Sequence, residues 1–147
     1  MRKLALAIAT GAVLASSLAA LSFASPSDVM GVNAKLTVKE EVPAQAVKNT
    51  KASGQFAASL RGNKLAWKLT FSGLTGPAAG AHIHLGGMGT AGDVVIVLCA
   101  STCKSGKTGT ATLSAALLKD LTKHLLYVNV HTAKNPAGEI RGQLAES

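Results

Sequence analysis

From residue 34 onward, apolar and polar residues alternate with a period of two, the pattern of a β-strand that buries one face. The clearest run is 64–71, in which Leu65, Trp67, Leu69 and Phe71 point to one side and the lysines to the other. Shorter runs of the same kind cover 35–39 and 55–61. The segment 61–64 between two such strands predicts a tight hairpin turn, and Trp67 is expected in the core.

The second half of the chain predicts four further strands and one short helix. Strands are indicated at 81–85, 94–98, 125–132 and 138–144; the second of these is apolar without alternation, as expected for a strand covered on both faces. Leucines at three- and four-residue steps behind Ser114 predict a helix over 114–125. About seven short strands separated by turns predict an all-β fold, a Greek-key or immunoglobulin-like β-sandwich with one short helix.

The first 24 residues have the pattern of a cleavable signal peptide. Arg2 and Lys3 precede an apolar run over 4–21, and small residues lead to a predicted cut after Ala24. An uncleaved membrane anchor is the alternative, although the run is only marginally long enough to span a bilayer. We therefore expect a signal peptide (1–24), a flexible lead-in (25–33) and one domain (34–147), exported to a periplasm, cell envelope or medium, with no transmembrane segment after cleavage.

The charge of the exported part is mildly basic. Without the signal peptide, 13 Lys and Arg face 7 acids, a net charge of about +6. The lysines are scattered, which indicates a solvated surface and at most an anionic cell-envelope or protein partner. A nucleic-acid-binding domain would show a concentrated basic stripe with aromatics, so we expect no nucleic-acid partner.

The two cysteines, Cys99 and Cys103, are four residues apart. In an oxidising compartment such a pair most often forms a local disulfide. A metal or redox centre is the alternative, but no second cysteine pair or neighbouring histidine supports it.

Three histidines are predicted to share one face of the domain. His82 and His84 flank Ile83 on a strand, so both project from the side opposite to it. If Val128 and Val130 face the core, the same parity places His131 on the outer side. Neutral imidazoles are good ligands for copper and zinc, which makes this set a candidate metal site. A structural hydrogen-bonded cluster and a proton-transfer role remain alternatives.

Two stretches closely resemble the CHRD domain, the module repeated in chordin and found as a single exported domain in many bacteria. The first is Ala81-His82-Ile83-His84-Leu85-Gly86, and the second runs from Tyr127 through Thr132 to the segment 135–144. The resemblance spans about 34–146. It implies an extracellular setting but no settled activity, and the growth-factor antagonism of animal members is not carried over to an isolated domain.

A weaker likeness links His82, His84, His131 and Arg141 to the copper ligands and arginine of Cu/Zn superoxide dismutase. The chain departs from that pattern because no histidine bridges two metals and no His/Asp cluster supplies a zinc site. The likeness leaves a lone copper site as a hypothesis, with Arg141 steering small anions towards it.

No combination of nucleophile, base and orienting group is evident, since the serines lie in turns and the carboxylates form no close functional pair. We therefore expect a secreted binding or structural module without catalytic activity. The alternative is an exported copper- or zinc-binding protein that uses His82, His84 and His131, with a redox or metal-scavenging role.

Overall fold

The computed structural model describes residues 29–147, so the predicted signal peptide lies outside the described part of the chain. Within that part the fold is all-β with one short helix, as expected. The strands are β1 Val29–Thr37, β2 Ser53–Arg61, β3 Lys64–Ser72, β4 Ala78–Leu85, β5 Val94–Cys103, β6 Lys107–Thr112, β7 Leu126–Thr132, β8 Ile140–Gln143 and β9 Ala145–Glu146. Helix α1 is Ala115–Thr122, and a 3-10 turn, Val38–Glu40, follows β1.

The strands form one antiparallel sheet in the order β5-β4-β7-β8-β1-β2-β3-β6, with β9 beside β1. The two outermost strands, β5 and β6, are joined by the three residues 104–106. This short connection brings the two edges of the sheet together at one end, so the sheet curves into a nearly closed shell around the core. The sandwich expected from the sequence is therefore a single sheet folded onto itself.

The β2–β3 hairpin follows the predicted alternation. Arg61 pairs with Lys64 across a two-residue turn, where Gly62 has a φ of 58°. Leu65, Trp67 and Leu69 are buried, and the Trp67 ring stacks against Phe56 with ring centroids 6.2 Å apart. The prediction of Trp67 as a core residue is confirmed.

Helix α1 begins where the sequence indicates, because the Ser114 hydroxyl accepts a hydrogen bond from the backbone N–H of Leu117 at 3.2 Å. It ends at Thr122, three residues before the predicted end. His124 has a φ of 55°, a left-handed conformation that cannot continue a helix. No helix within residues 29–147 is long and apolar enough to cross a bilayer.

The structure differs from the sequence prediction at three strands, β1, β5 and β6. Strand β1 begins at Val29, so the segment 29–33 is a paired strand rather than a flexible lead-in. Strand β5 is an edge strand, and Val94 and Val97 are 47% and 58% exposed, so it is not covered on both faces. Strand β6 was not predicted, because its residues are small and polar and give little apolar alternation.

Cys99 and Cys103 form a disulfide, as predicted, with their Cα atoms 5.9 Å apart. The two residues lie near the end of β5, and the chain between them passes through Ser101 and Thr102 with positive φ angles of 51° and 44°. The disulfide therefore fixes an irregular end on the edge strand.

Candidate metal centre

Strands β4 and β7 are antiparallel neighbours, so the three histidines predicted to share a face lie on adjacent strands. His82 is opposite Asn129 and His84 is opposite Tyr127, while Gly80 is opposite His131. Because directly opposed residues of an antiparallel pair point to the same side, the three imidazoles project together from the outer face of the sheet. Ile83 points into the core and is buried.

The three rings form a compact cluster. The ring centroids are 4.9 Å apart for His82 and His131, 5.6 Å for His82 and His84, and 5.7 Å for His84 and His131. One ring nitrogen from each residue lies within 4.8 Å of the others. Ligands bonded to one ion at about 2 Å lie at most about 4 Å apart, so a shared ion would draw the rings slightly closer.

Backbone carbonyls fix the orientation of two of the rings. Nδ1 of His84 lies 2.9 Å from the Gly92 carbonyl, and Nδ1 of His131 lies 3.0 Å from the Pro136 carbonyl. A carbonyl can only accept, so each Nδ1 carries the hydrogen and each Nε2 keeps a free lone pair. This is the arrangement in which metal-binding histidines are usually held.

Three ring nitrogens in the cluster are buried without a hydrogen-bond partner. They are Nε2 of His84, Nε2 of His131 and Nδ1 of His82. An unpaired buried polar atom is costly, so a hydrogen-bond donor or an ion that reached these three nitrogens would remove that cost.

Burial keeps the three imidazoles neutral. Desolvation lowers the pKa of His131 to about 4, with the neighbouring His82 and His84 contributing in the same direction. Desolvation is also the main cause that lowers the pKa of His82 and of His84. All three side chains are therefore in the metal-binding protonation state at neutral pH.

The His84 ring packs against Tyr127, which in turn contacts Arg141. The Tyr127 ring lies parallel to the His84 ring, with centroids 4.9 Å apart and an interplanar angle of 10°. The Arg141 guanidinium covers the other side of Tyr127, 3.5 Å from its centroid. The Tyr127 hydroxyl also accepts a hydrogen bond from the Gly92 N–H at 3.1 Å.

The glycine-rich loop 86–92 is held in place by two side chains of β8. Nη2 of Arg141 donates to the carbonyls of Gly87 and Thr90, both at 2.9 Å. Nε2 of Gln143 donates to the Gly86 carbonyl at 2.9 Å. Because the same loop supplies the Gly92 carbonyl to His84, Arg141 positions a candidate ligand indirectly.

Arg141 is only 2% exposed, so it does not lie on the open surface where anion steering was expected. Desolvation by burial lowers the pKa of this guanidinium, and the carboxylates of Glu41 and Glu40 partly oppose that change. Its steering role stays a prediction. The contact that the structure adds is with the loop.

Sequence reasoning missed a buried carboxyl beside the cluster. Glu41 follows the 3-10 turn, is 3% exposed, and accepts a hydrogen bond from Nδ2 of Asn129 at 3.0 Å. Burial raises the pKa of this carboxyl to about 7, although Asn129 and Arg141 act to lower it. No sequence signal could have located Glu41, because it meets Asn129 across 88 residues of chain.

A second buried carboxylate, Glu139, organises the turn that supplies the Pro136 carbonyl. It accepts hydrogen bonds from the N–H and hydroxyl of Thr75, the hydroxyl of Thr132 and the amide of Asn135, at 2.6 to 2.9 Å. Desolvation raises the pKa of Glu139, but these hydrogen bonds outweigh it and hold the pKa below its usual value. The carboxylate is thus fully engaged away from the histidines.

The histidine cluster lines a cavity of about 400 Å³ that is wide open to solvent. The rest of its wall is small or apolar and carries no charged side chain; it comprises Ala79, Gly80, Val94, Ala100, Ser101, Thr132, Ala133 and Pro136. A ligand on the histidines would therefore be reached through an uncharged cavity.

Across residues 29–147, His82, His84 and His131 are the one group of three or more His, Cys, Asp or Glu side chains that could hold an ion. A two-metal centre of the Cu/Zn superoxide dismutase kind would need a second such group.

Fold and site together define an all-β domain with a three-histidine cluster on the outer face of two adjacent strands. A family model, the CHRD domain, matches residues 32–144, and the chain belongs to this family. The resemblance carried by the His-x-His strand and the C-terminal segment is thereby confirmed. Comparisons with curated proteins and with solved structures found no match.

Proposed function

We propose that this chain is an exported CHRD module that binds one copper or zinc ion through His82, His84 and His131. The proposal rests on a cluster in which each histidine brings a ring nitrogen within 4.8 Å of the others and each also has a buried ring nitrogen without a hydrogen-bond partner. Each buried nitrogen without a partner costs the folded protein about 1–3 kcal/mol, and an ion bound by the three rings would remove that cost.

The alternative of a purely structural hydrogen-bonded cluster is less well supported. The two carbonyls that contact the rings occupy Nδ1 of His84 and Nδ1 of His131, and they leave the remaining nitrogens free. In a structural cluster these nitrogens would bond to one another or to nearby side chains. A neutral imidazole set with free lone pairs is instead what a metal ion requires.

The chemistry of the donors favours copper or zinc over harder ions. Imidazole nitrogen suits both metals, whereas calcium and magnesium select carboxylate and carbonyl oxygen. No carboxylate lines the cavity.

Export is part of the proposal and rests on the pattern of residues 1–24, supported by the disulfide and by the extracellular setting typical of CHRD domains. A protein that holds one ion without a catalytic set would serve in metal scavenging, or in electron transfer if the ion is copper.

Metal titration of the purified protein tests the proposal. Calorimetry with Cu²⁺ and with Zn²⁺, followed by elemental analysis, is expected to give one equivalent for at least one of the two metals. His82→Ala and His131→Ala should each weaken binding by more than the 10- to 100-fold loss typical of outer-sphere changes. His124→Ala, a histidine outside the cluster, is the matched control and should bind normally. If His82→Ala and His131→Ala bind the metal with unchanged stoichiometry, the proposal is wrong.

A binding role for an envelope or protein partner is a second candidate, favoured by one observation. Leu85, Met88, Val94 and Val97 are exposed and lie on the β4–β5 hairpin or its loop. Exposed apolar residues carried by one hairpin are candidates for an interaction surface. If this surface docks to the envelope, Val97→Lys should release the protein from the envelope fraction. Equal retention of the variant and the unmodified protein would contradict a docking role for this surface.

A further inference from the structure

The proposed metal site leaves one coordination position for an outside ligand. Three imidazoles are available, and no fourth His, Cys, Asp or Glu among residues 29–147 joins the group. Zinc and copper take at least four ligands in most protein sites, and a site with three protein ligands keeps an open position. His82, His84 and His131 all line the cavity, so solvent space lies next to the three rings.

The charge around that position favours an anion. A divalent ion on three neutral imidazoles keeps its full double charge, and the cavity wall carries no carboxylate to offset it. Arg141 adds positive charge over the Tyr127 ring, and the Glu41 carboxyl that acts against it is only partly ionised at neutral pH, because burial raises its pKa to about 7. The carboxylate of Glu139 is engaged by its own donors, and Asp93, which acts on His84, is solvent-exposed and screened.

The wall of the cavity sets the kind of anion. Ala79, Val94, Ala100, Ala133 and Pro136 are apolar and exposed, so they form an open wall that offers a bound ligand no hydrogen bond in place of the water it displaces. Desolvation costs most for small, strongly hydrated or multiply charged anions and least for weakly hydrated monoanions. The cavity therefore discriminates against sulfate and fluoride.

We propose that the metal-loaded site binds a small, weakly hydrated monoanion directly on the ion, inside this cavity. The inference rests on the proposed metal site and adds the class of ligand that the site takes. The ligand bonds through one donor atom and displaces the water or hydroxide that occupies the position otherwise.

Anion titration of the copper-loaded protein tests the inference. The purified protein is first loaded with Cu²⁺ to one equivalent, as verified by elemental analysis. Azide and thiocyanate are then added, with fluoride and sulfate in parallel at matched ionic strength. We expect saturable changes in the charge-transfer absorption and the electron paramagnetic resonance spectrum with azide and thiocyanate, at least about tenfold tighter than with fluoride or sulfate.

Two matched variants locate the anion. Val94 lines the cavity and Val97 does not, although both are exposed residues of β5. Val94→Phe should weaken azide binding at least tenfold and leave the copper stoichiometry at one, whereas Val97→Phe should behave like the unmodified protein.

The outcomes separate the two proposals. Copper binding without a spectral response to azide would overturn the inference and leave the metal site standing. Equal affinity for sulfate and azide, or an equal effect of the two phenylalanine variants, would also overturn it. Failure to bind copper or any other divalent metal would overturn both.

Discussion

Glu41→Gln is expected to stabilise the protein at alkaline pH. Burial raises the pKa of Glu41 from 4.5 to about 7, so the folded state holds a proton that the unfolded chain releases. Between these values the unfolded chain binds fewer protons, and the free energy of unfolding falls as the pH rises. The contribution of Glu41 is therefore fully present below about pH 4.5 and lost as the pH passes through about 7.

The change in unfolding free energy follows from the same shift in the pKa of Glu41. A change from 4.5 to about 7 corresponds to about 3 kcal/mol at pH values above both. Glutamine has nearly the same shape, has no charge to bury, and can accept the hydrogen bond from Nδ2 of Asn129. We expect Glu41→Gln to match the unmodified protein near pH 4.5 and to exceed its unfolding free energy by up to about 3 kcal/mol at pH 8.

Urea unfolding followed by Trp67 fluorescence, in the presence of a chelator, measures this difference at several pH values. The lowered pKa values of the histidines reduce stability as the pH falls below about 6.5, but they act in both proteins and cancel in the difference. Glu40→Gln, the exposed neighbour, is the matched control and should show no growing difference. A Glu41→Gln protein that is equally destabilised at pH 5 and pH 8 would refute the reasoning.

Three other predictions concern the surroundings of the site. Gly80→Ala would place a Cβ 3.3 Å from Cε1 of His82, so copper or zinc affinity, measured by competition with a chelator, should fall about tenfold while the thermal midpoint changes little. Gly138 has a φ of 132°, and a Cβ there would lie about 2.5–2.6 Å from the Asn129 amide and from Oε2 of Glu41. Gly138→Ala should therefore lower the free energy of unfolding in urea by at least about 2 kcal/mol, and a loss below about 0.5 kcal/mol would contradict this. Because burial lowers the pKa of all three histidines, that of His131 to about 4, metal affinity should begin to fall at a lower pH than it does for ordinary imidazoles; a loss centred on pH 6.5 in metal titrations would contradict this.

The grouping of the histidines could be predicted because the strands that carry them have clear inner faces. Ile83 on β4, and Val128 and Val130 on β7, mark the core side, and a strict period of two then places His82, His84 and His131 opposite. Whether β4 and β7 were neighbours was an assumption that only the folded sheet could establish.

Other features depend on contacts between distant parts of the chain. The apolar run of β5 has the same sequence pattern at an edge as in the middle of a sheet, so its exposure was not predictable. The burial of Glu41 and the fixing of loop 86–92 by Arg141 each bring together residues more than 50 positions apart. Local periodicity carries no information about such contacts.

The dependence of loop 86–92 on Arg141 has a consequence for when the site matures. During synthesis, both histidine-bearing strands emerge before β8, which carries the arginine. A chain still lacking β8 would possess every imidazole yet hold His84 without its fixed carbonyl partner. If the proposed metal site is real, its ligands are complete only after β8 has docked, at the end of folding.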